Sequence, residues 1–119
     1  LGRSLEDADG KVWPMADVLP GDGIRVGRLV RFGYAEMTAK ADSMLFCAGE
    51  TLPIHEFHHW DSTANGTALA AKKPVGGAAW RCGFVNEHFY AGFPHLYWAG
   101  TPLPQRFAAA AENYRRDHD

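Results

Sequence analysis

The sequence lacks long apolar runs, clusters of one charge and a signal peptide, and each absence argues against a class of protein. No apolar run approaches the roughly 18 residues that a membrane-spanning helix needs, so no membrane association is expected. Lys and Arg are scattered through a chain with a formal net charge of -2, which argues against a nucleic-acid partner. The first residues, Leu1–Ser4, show no signal peptide pattern, which favours a cytoplasmic protein.

Only two cysteines occur, Cys47 and Cys82, which is too few for a disulfide framework. In a reducing cytosol both stay free, and we expect both to be small buried hydrophobic residues. A nucleophilic cysteine of the strand-to-helix type lies in a sharp turn beside backbone N–H donors, usually with flanking glycines. Neither cysteine has that setting, so the sequence predicts no nucleophile in this chain.

Hydrophobic residues make up 46% of the 119 residues, which predicts one folded domain over residues 1–119. Apolar and aromatic periodicity predicts mostly short antiparallel strands. Turn residues across 8–24 predict a loop with one short element around Val12–Val18. The predicted strands cover residues 24–37, 43–47, 52–60, 67–71 and 78–90, followed by a short apolar segment at 93–98.

A helix is predicted after Gly100. Thr101 suits the N-cap and Pro102 suits the first helical turn. Apolar residues then recur with helical spacing and form one face. That face contains Leu103, Phe107, Ala110, Ala111 and Tyr114. Strands followed by one C-terminal helix predict an α/β to α+β fold.

Five of the six histidines lie between residues 55 and 95, and the densest group formally matches the H-E-x-x-H pattern of zinc hydrolases. That pattern needs a helix, which would place His55 and His59 on one face with Glu56 as the base. Pro53 before the group and a turn after it favour a strand instead. A strand separates His55 and His59 by about 13 Å, too far for one metal ion. Zinc hydrolysis is therefore the less favoured alternative.

His95 lies in the short apolar segment Phe93–Trp98, which precedes a glycine turn and the predicted helix. The end of a short strand before a helix is a common position for a catalytic base. A packed histidine with satisfied hydrogen bonds is equally consistent with the pattern.

Several blocks, in order along nearly the whole chain, resemble motifs of one family. Asp7–Ala16 with Leu19–Gly21 resembles its "D.DG..YPMAGLLPG" stretch, Phe32–Glu36 its "GYREA" strand, Ala48–Glu50 with Ile54–His59 its "AG…GHEFHYS" block, and Phe93–Trp98 its "YLHLHF" block. The family is cobyrinic acid a,c-diamide synthase, in its C-terminal, class I-like glutamine amidotransferase domain.

This resemblance implies part of an ATP-dependent and glutamine-dependent amide ligase, which amidates the a and c carboxylates of cobyrinate in cobalamin biosynthesis. In the family, ATP and magnesium bind an N-terminal domain, so this chain is expected to hold no cofactor and no metal. The glutaminase nucleophile is the cysteine of a "CGG" turn, and its partner is the first histidine of the "YLHLHF" block. His95 matches that histidine. His55, Glu56 and His58 match a block near the glutamine site and are expected to support it. A purely structural role is equally consistent with the pattern, because buried polar residues mostly satisfy each other.

Two positions depart from the family pattern: Ile54 replaces a glycine before His55, and Tyr97 replaces a second histidine. The family's "CGG" turn falls a few residues before the segment that matches Leu1-Gly2. We therefore expect a partial domain, a fragment that supplies the glutaminase histidine and is inactive alone.

The expected partners are glutamine and a corrin precursor, both through the parent enzyme. A domain cut in this way exposes apolar surface, which favours association with the rest of the domain or with a second copy. A non-catalytic binding module derived from the same domain is the main alternative function.

Overall fold

The computed structural model describes all 119 residues as short strands followed by one helix. The elements are β1 (Ser4–Glu6), β2 (Val12–Pro14), β3 (Asp22–Arg25), β4 (Arg31–Ala39), β5 (Thr51–His58), β6 (Trp60–Ser62), β7 (Leu69–Lys72), β8 (Ala79–Cys82), β9 (Phe84–Val85), β10 (Tyr90–Ala91), β11 (His95–Leu96) and α1 (Leu103–His118). Strands and a C-terminal helix thus occur together in one α and β fold, with most strand pairs antiparallel, as the sequence predicted.

The larger sheet has five antiparallel strands in the order β11-β5-β4-β7-β8. Side chains alternate between its two faces, as the pleat requires. In β4, Ala35, Met37 and Ala39 are buried, whereas Tyr34 and Glu36 are exposed. One face of this sheet therefore packs on the core, and the other is open.

The core lies on the covered face of this sheet. Its largest fully buried side chains are Phe46, Met37, Ile54, Leu69 and Leu103. Phe46 comes from the connection between β4 and β5, and Leu103 comes from the first turn of α1. The helix and this connection therefore close the sheet from the same side.

The second sheet is small and mixed, in the order β2-β1-β3-β6. Strands β1 and β3 run parallel, and the other pairs are antiparallel. The sequence predicted a loop over residues 8–24 with one short element, and β2 is that element, whereas β1 was not predicted. Just after β8, Gly83 meets Gly66 in an isolated parallel bridge, where a Cβ on Gly66 would lie 2.1 Å from the Gly83 oxygen.

Three strand predictions were wrong, two in their extent and one entirely. The strand predicted over 52–60 is divided at His59 into β5 and β6, which join different sheets. The strand predicted over 24–37 is broken at Gly27, which has a φ of 74°, and its two parts, β3 and β4, join different sheets. The strand predicted over 43–47 is a loop. Ser43 bonds to Phe46 within that loop, and the Cys47 N–H is taken by the Glu50 carboxylate. These local partners satisfy the backbone, so no neighbouring strand is needed.

The helix is confirmed, and it begins one residue later than a cap at Thr101 predicts. Pro102 occupies the N-cap position, and the Thr101 hydroxyl accepts the Leu103 N–H at 3.3 Å. Only Leu103 is buried, whereas Phe107 and Tyr114 are 48% and 53% exposed. The helix therefore packs through its first turn and then runs along the surface. It does not have the length and apolarity that crossing a membrane requires.

Candidate functional site

A row of three side chains crosses the open face of the larger sheet. His95 in β11 pairs directly with His55 in β5, and Tyr34 in β4 pairs with His55 from the other side. The His55 and His95 ring centroids are 6.0 Å apart, and those of Tyr34 and His55 are 5.1 Å apart. Cross-strand pairing in register brings the three rings together, although they are far apart in sequence.

This row borders a shallow groove of about 430 Å³. The groove is lined by Tyr34, Pro53, Ile54, His55, His95, Leu96 and Tyr97. His95 is exposed, and neither histidine ring makes a hydrogen bond within the chain. Both imidazoles are therefore available to a molecule or a side chain that approaches this face.

The segment before His95 is held in place from the core side. The Tyr90 hydroxyl donates a hydrogen bond to the Pro94 carbonyl at 2.8 Å. Phe93 stacks on the His58 ring, with centroids 3.9 Å apart and planes 7° apart. Burial, followed by the nearby Cys82 and Glu56, raises the pKa of Tyr90 well above its usual value, so the hydroxyl stays a donor. These contacts fix the short strand β11 against β5.

A buried carboxylate organises the opposite face of β5. The Glu56 side chain is 3% exposed, and it accepts hydrogen bonds from the Trp80 indole at 3.2 Å and from His58 Nε2 at 3.0 Å. Arg31 lies 3.8 Å away and stacks over Trp80. The other His58 nitrogen faces the Trp60 carbonyl at 2.7 Å. Both His58 ring nitrogens thus have a hydrogen-bond partner, which fixes the orientation of the ring.

The four residues that the resemblance singled out therefore divide between two faces. His55 and His95 share the open face, whereas Glu56 and His58 lie on the core face of the same strand. The alternation of a strand is the cause, because residues 55 and 56 must point to opposite sides. His58 stacks on Phe93, two residues before His95, and this contact connects the core-face pair to the strand that carries His95.

Sequence reasoning missed four residues that contribute to this arrangement: Arg31, Tyr34, Trp80 and Tyr90. Tyr34 carried a detectable signal, because it lies in the predicted strand and in the "GYREA"-like motif. Its position beside His55 depends on the register of β4 against β5, which the local sequence does not encode.

The two cysteines differ, and the prediction that both are buried was wrong for one of them. Cys82 is buried, and desolvation, helped by nearby Glu56, raises the pKa of its thiol to about 11. Cys47 is exposed and lies in the loop before β5. Neither residue occupies a strand-to-helix turn, because the only helix begins at Leu103. A thiolate is disfavoured at Cys82, so its environment is that of a structural cysteine.

The H-E-x-x-H segment does not form the helix that a zinc hydrolase needs. His55 and Glu56 lie in strand β5, and His59 falls at the bend between β5 and β6. The structure brings no three His, Cys, Asp or Glu side chains together in a metal-binding group. No observation favours this alternative.

Comparison with known proteins supports the resemblance seen in the motifs. The cobyrinate a,c-diamide synthase of Salmonella typhimurium is 34% identical in an alignment of 116 positions, which covers 93% of this chain and 25% of that protein. The chain is a relative of the cobyrinate a,c-diamide synthases. The hydrogenobyrinate a,c-diamide synthase of Thermobifida fusca is 31% identical over 92% of this chain and 24% of that protein. The cobyrinate a,c-diamide synthase of Caldanaerobacter subterraneus is 30% identical over 81% of this chain and 22% of that protein.

The chain spans about a quarter of the length of these synthases and corresponds to their C-terminal part. No family model matches the chain. No solved structure matches it either.

Proposed function

We propose that this chain is the histidine-bearing part of a glutaminase module in a cytoplasmic amide ligase of the cobyrinate a,c-diamide synthase type. The observation that carries the proposal is the position of His95. It lies on an open face, in register with His55, beside a groove, and with no hydrogen bond inside the chain. In a relative of these synthases, this position suits a general base whose nucleophile, a cysteine thiol, is supplied by another segment.

The proposed chemistry is a proton relay at one imidazole nitrogen. His95 takes the proton of a cysteine thiol while the sulfur attacks the side-chain carbonyl of glutamine, and then returns it to the departing ammonia. Water then releases glutamate from the thioester. The thiol comes from outside this chain, because Cys82 is buried with a raised pKa and Cys47 lies away from the groove lining.

ATP and magnesium belong to the rest of the ligase in this proposal. The chain brings no three metal-ligating side chains together, so its residues do not fit a magnesium site, and no step of ATP chemistry is assigned to them. The corrin carboxylates are likewise bound elsewhere. What this chain contributes in this proposal is His95, the base and acid for the release of ammonia from glutamine.

His55, Glu56 and His58 support this site in two ways. His55 contacts His95 across the strands and borders the same groove. Glu56 holds His58, and His58 stacks on Phe93 two residues before His95. In this proposal the whole module has a class I-like glutamine amidotransferase fold, of which the chain forms the C-terminal part.

The purified chain tests this proposal through ammonia release from glutamine. We expect no release above the rate in buffer, because His95 has no thiol to deprotonate. Robust release would overturn the proposal and would assign the nucleophile to a cysteine of this chain. Cys47→Ala and Cys82→Ala would then show which one carries the activity.

A second candidate function, a non-catalytic binding module, is favoured by the open face itself. Phe32, Tyr34 and Phe57 are 61%, 73% and 52% exposed on neighbouring strands. Apolar surface of this kind is typical of a buried interface. Light scattering at several concentrations tests it: self-association supports the module, and a clean monomer at all concentrations counts against self-pairing through this face.

A further inference from the structure

The His55–His95 pair has a property that glutamine hydrolysis does not require. Two imidazoles lie directly opposite each other on antiparallel strands, and neither makes a hydrogen bond within the chain. His58 differs, because both of its ring nitrogens have partners. Two free imidazoles held side by side form a potential ligand pair for a metal ion.

The spacing of the two rings fits one shared ion. An imidazole nitrogen lies about 1 Å from its ring centroid and a metal–nitrogen bond is about 2.0–2.1 Å long, so an ion lies about 3 Å from each ligating ring centre. Two ligating rings on opposite sides of the ion then have centroids about 6 Å apart, and two rings at a tetrahedral angle have centroids about 5 Å apart. The observed separation of 6.0 Å matches the first arrangement, and the second requires a rotation of the exposed His95 side chain toward His55.

The surroundings do not oppose a cation. The groove lining contains no Lys or Arg, and Tyr34, Leu96 and Tyr97 contribute neutral side chains. It also contains no Asp or Glu, so hard ions that need oxygen ligands, such as magnesium and calcium, have no partners there. Imidazole donors favour zinc, nickel and copper ions, of which copper binds most tightly.

We infer that His55 and His95 form a two-histidine site for a divalent transition-metal ion, with water in the remaining coordination positions. This inference does not depend on the glutaminase role, because it requires only two free imidazoles in register. Metal binding and the glutaminase role are linked in one respect. An ion held by His95 occupies the nitrogen lone pair that a base would use, so metal binding and proton transfer exclude one another at this residue.

Calorimetric titration with nickel chloride tests the site. The protein is prepared without a polyhistidine tag, and every sample carries Cys47→Ser, which removes the exposed thiol. We expect one nickel ion per chain, and at least a tenfold loss of affinity in both His55→Gln and His95→Gln. His59→Gln is the matched control, since this exposed histidine lies in the same segment but outside the groove lining, and its affinity should equal that of the parent.

The side-chain NMR spectrum provides the second measurement. Nickel is paramagnetic, so the imidazole resonances of His55 and His95 should broaden before those of the other four histidines. Copper should also bind more tightly than nickel. Equal affinity in the parent and in either pair variant overturns the inference, and so does broadening that starts at other histidines. Neither outcome bears on ammonia release, so the glutaminase proposal and this inference fail separately.

Discussion

The Tyr90 hydroxyl donates a hydrogen bond to the Pro94 carbonyl, 2.8 Å away, in the peptide group that joins Pro94 to His95. Tyr90 also packs edge-on against Phe46 in the core, with ring centroids 5.8 Å apart. One tyrosine thereby connects the interior of the domain to the backbone that presents His95. The strand β11 has only two residues, so this link accounts for much of its order.

Tyr90→Phe should loosen the strand that carries His95 while the rest of the domain stays folded. The variant removes one hydroxyl and leaves the Pro94 carbonyl without its donor, at a cost of about 1–2 kcal/mol. Hydrogen exchange followed by mass spectrometry should show faster exchange in peptides covering 93–98. Tyr97→Phe is the control, because Tyr97 is 74% exposed and makes no hydrogen bond within the chain. Equal exchange rates in the two variants would show that the hydrogen bond from Tyr90 does not hold β11 in place.

Glu56→Ala should destabilise the domain strongly. It removes the acceptor of Trp80 and His58 and leaves Arg31 without its nearest carboxylate, in a place where the carboxylate is 3% exposed. Losing one partner of such a buried group costs about 3 kcal/mol. Urea denaturation should show this loss, whereas Glu36→Ala, on the open face of β4, should change the free energy of unfolding by less than about 0.5 kcal/mol. If Glu56→Ala lowers the free energy of unfolding by less than about 1 kcal/mol, the hydrogen bonds of Glu56 do not stabilise the fold as described.

Glu50 should make stability depend on pH in the acid range. The Cys47 N–H, and then Arg106, lower the pKa of Glu50 from its ordinary value of 4.5. A carboxylate with a lowered pKa in the folded state contributes stability above its unfolded value, and loses this contribution as the pH falls through its folded value.

The Glu50→Gln variant tests this dependence, with the free energy of unfolding measured from pH 7 to pH 3. The parent should exceed the variant by about 1 kcal/mol at pH 7, and the difference should shrink below about pH 4. Glu87→Gln is the control, because Glu87 is exposed and makes no hydrogen bond within the chain. A difference that stays constant down to pH 3 would show that the Glu50 contacts do not act as an ion pair.

The two cysteines should react at very different rates. At pH 8, iodoacetamide should modify the exposed Cys47, whereas the buried Cys82, with its pKa raised to about 11, should react at least roughly 100-fold more slowly. Mass spectrometry of the labelled peptides gives both rates. Both thiols should react in 6 M guanidinium, which is the control. Rapid native labelling of Cys82 would place a reactive thiol in the core and would weaken the assignment of the nucleophile to another segment.

The sequence predicted the elements of the fold better than their arrangement. Local periodicity was enough for the C-terminal helix and for the strand around Phe32 and Tyr34. The separation of β3 from β4 at Gly27 depends on which sheet each strand joins, and that is a long-range property. The apolar residues of the loop at 43–47 resemble those of a strand, because Leu45 and Phe46 are buried in the core. Side-chain and turn contacts satisfy the backbone there, and the local sequence does not reveal them.

The candidate site was predicted in part for the same reason. Motif resemblance identified His95 and His55, and the structure places them side by side. The division of the site between two faces follows from the predicted strand, because neighbouring residues such as His55 and Glu56 point to opposite faces of a sheet. The contributions of Tyr90 and Trp80 could not be predicted, because each depends on contacts across at least two elements.

The most direct measurement is glutamine hydrolysis by a chimera. In the chimera, the present chain replaces the matching quarter of the Salmonella typhimurium cobyrinate a,c-diamide synthase, and the rest of that enzyme is kept. The account predicts that the chimera releases ammonia from glutamine and that His95→Gln lowers kcat by about 10²–10⁴-fold, as loss of a general base does. His59→Gln should leave kcat unchanged. A chimera that hydrolyses glutamine equally well with and without His95 would contradict the account.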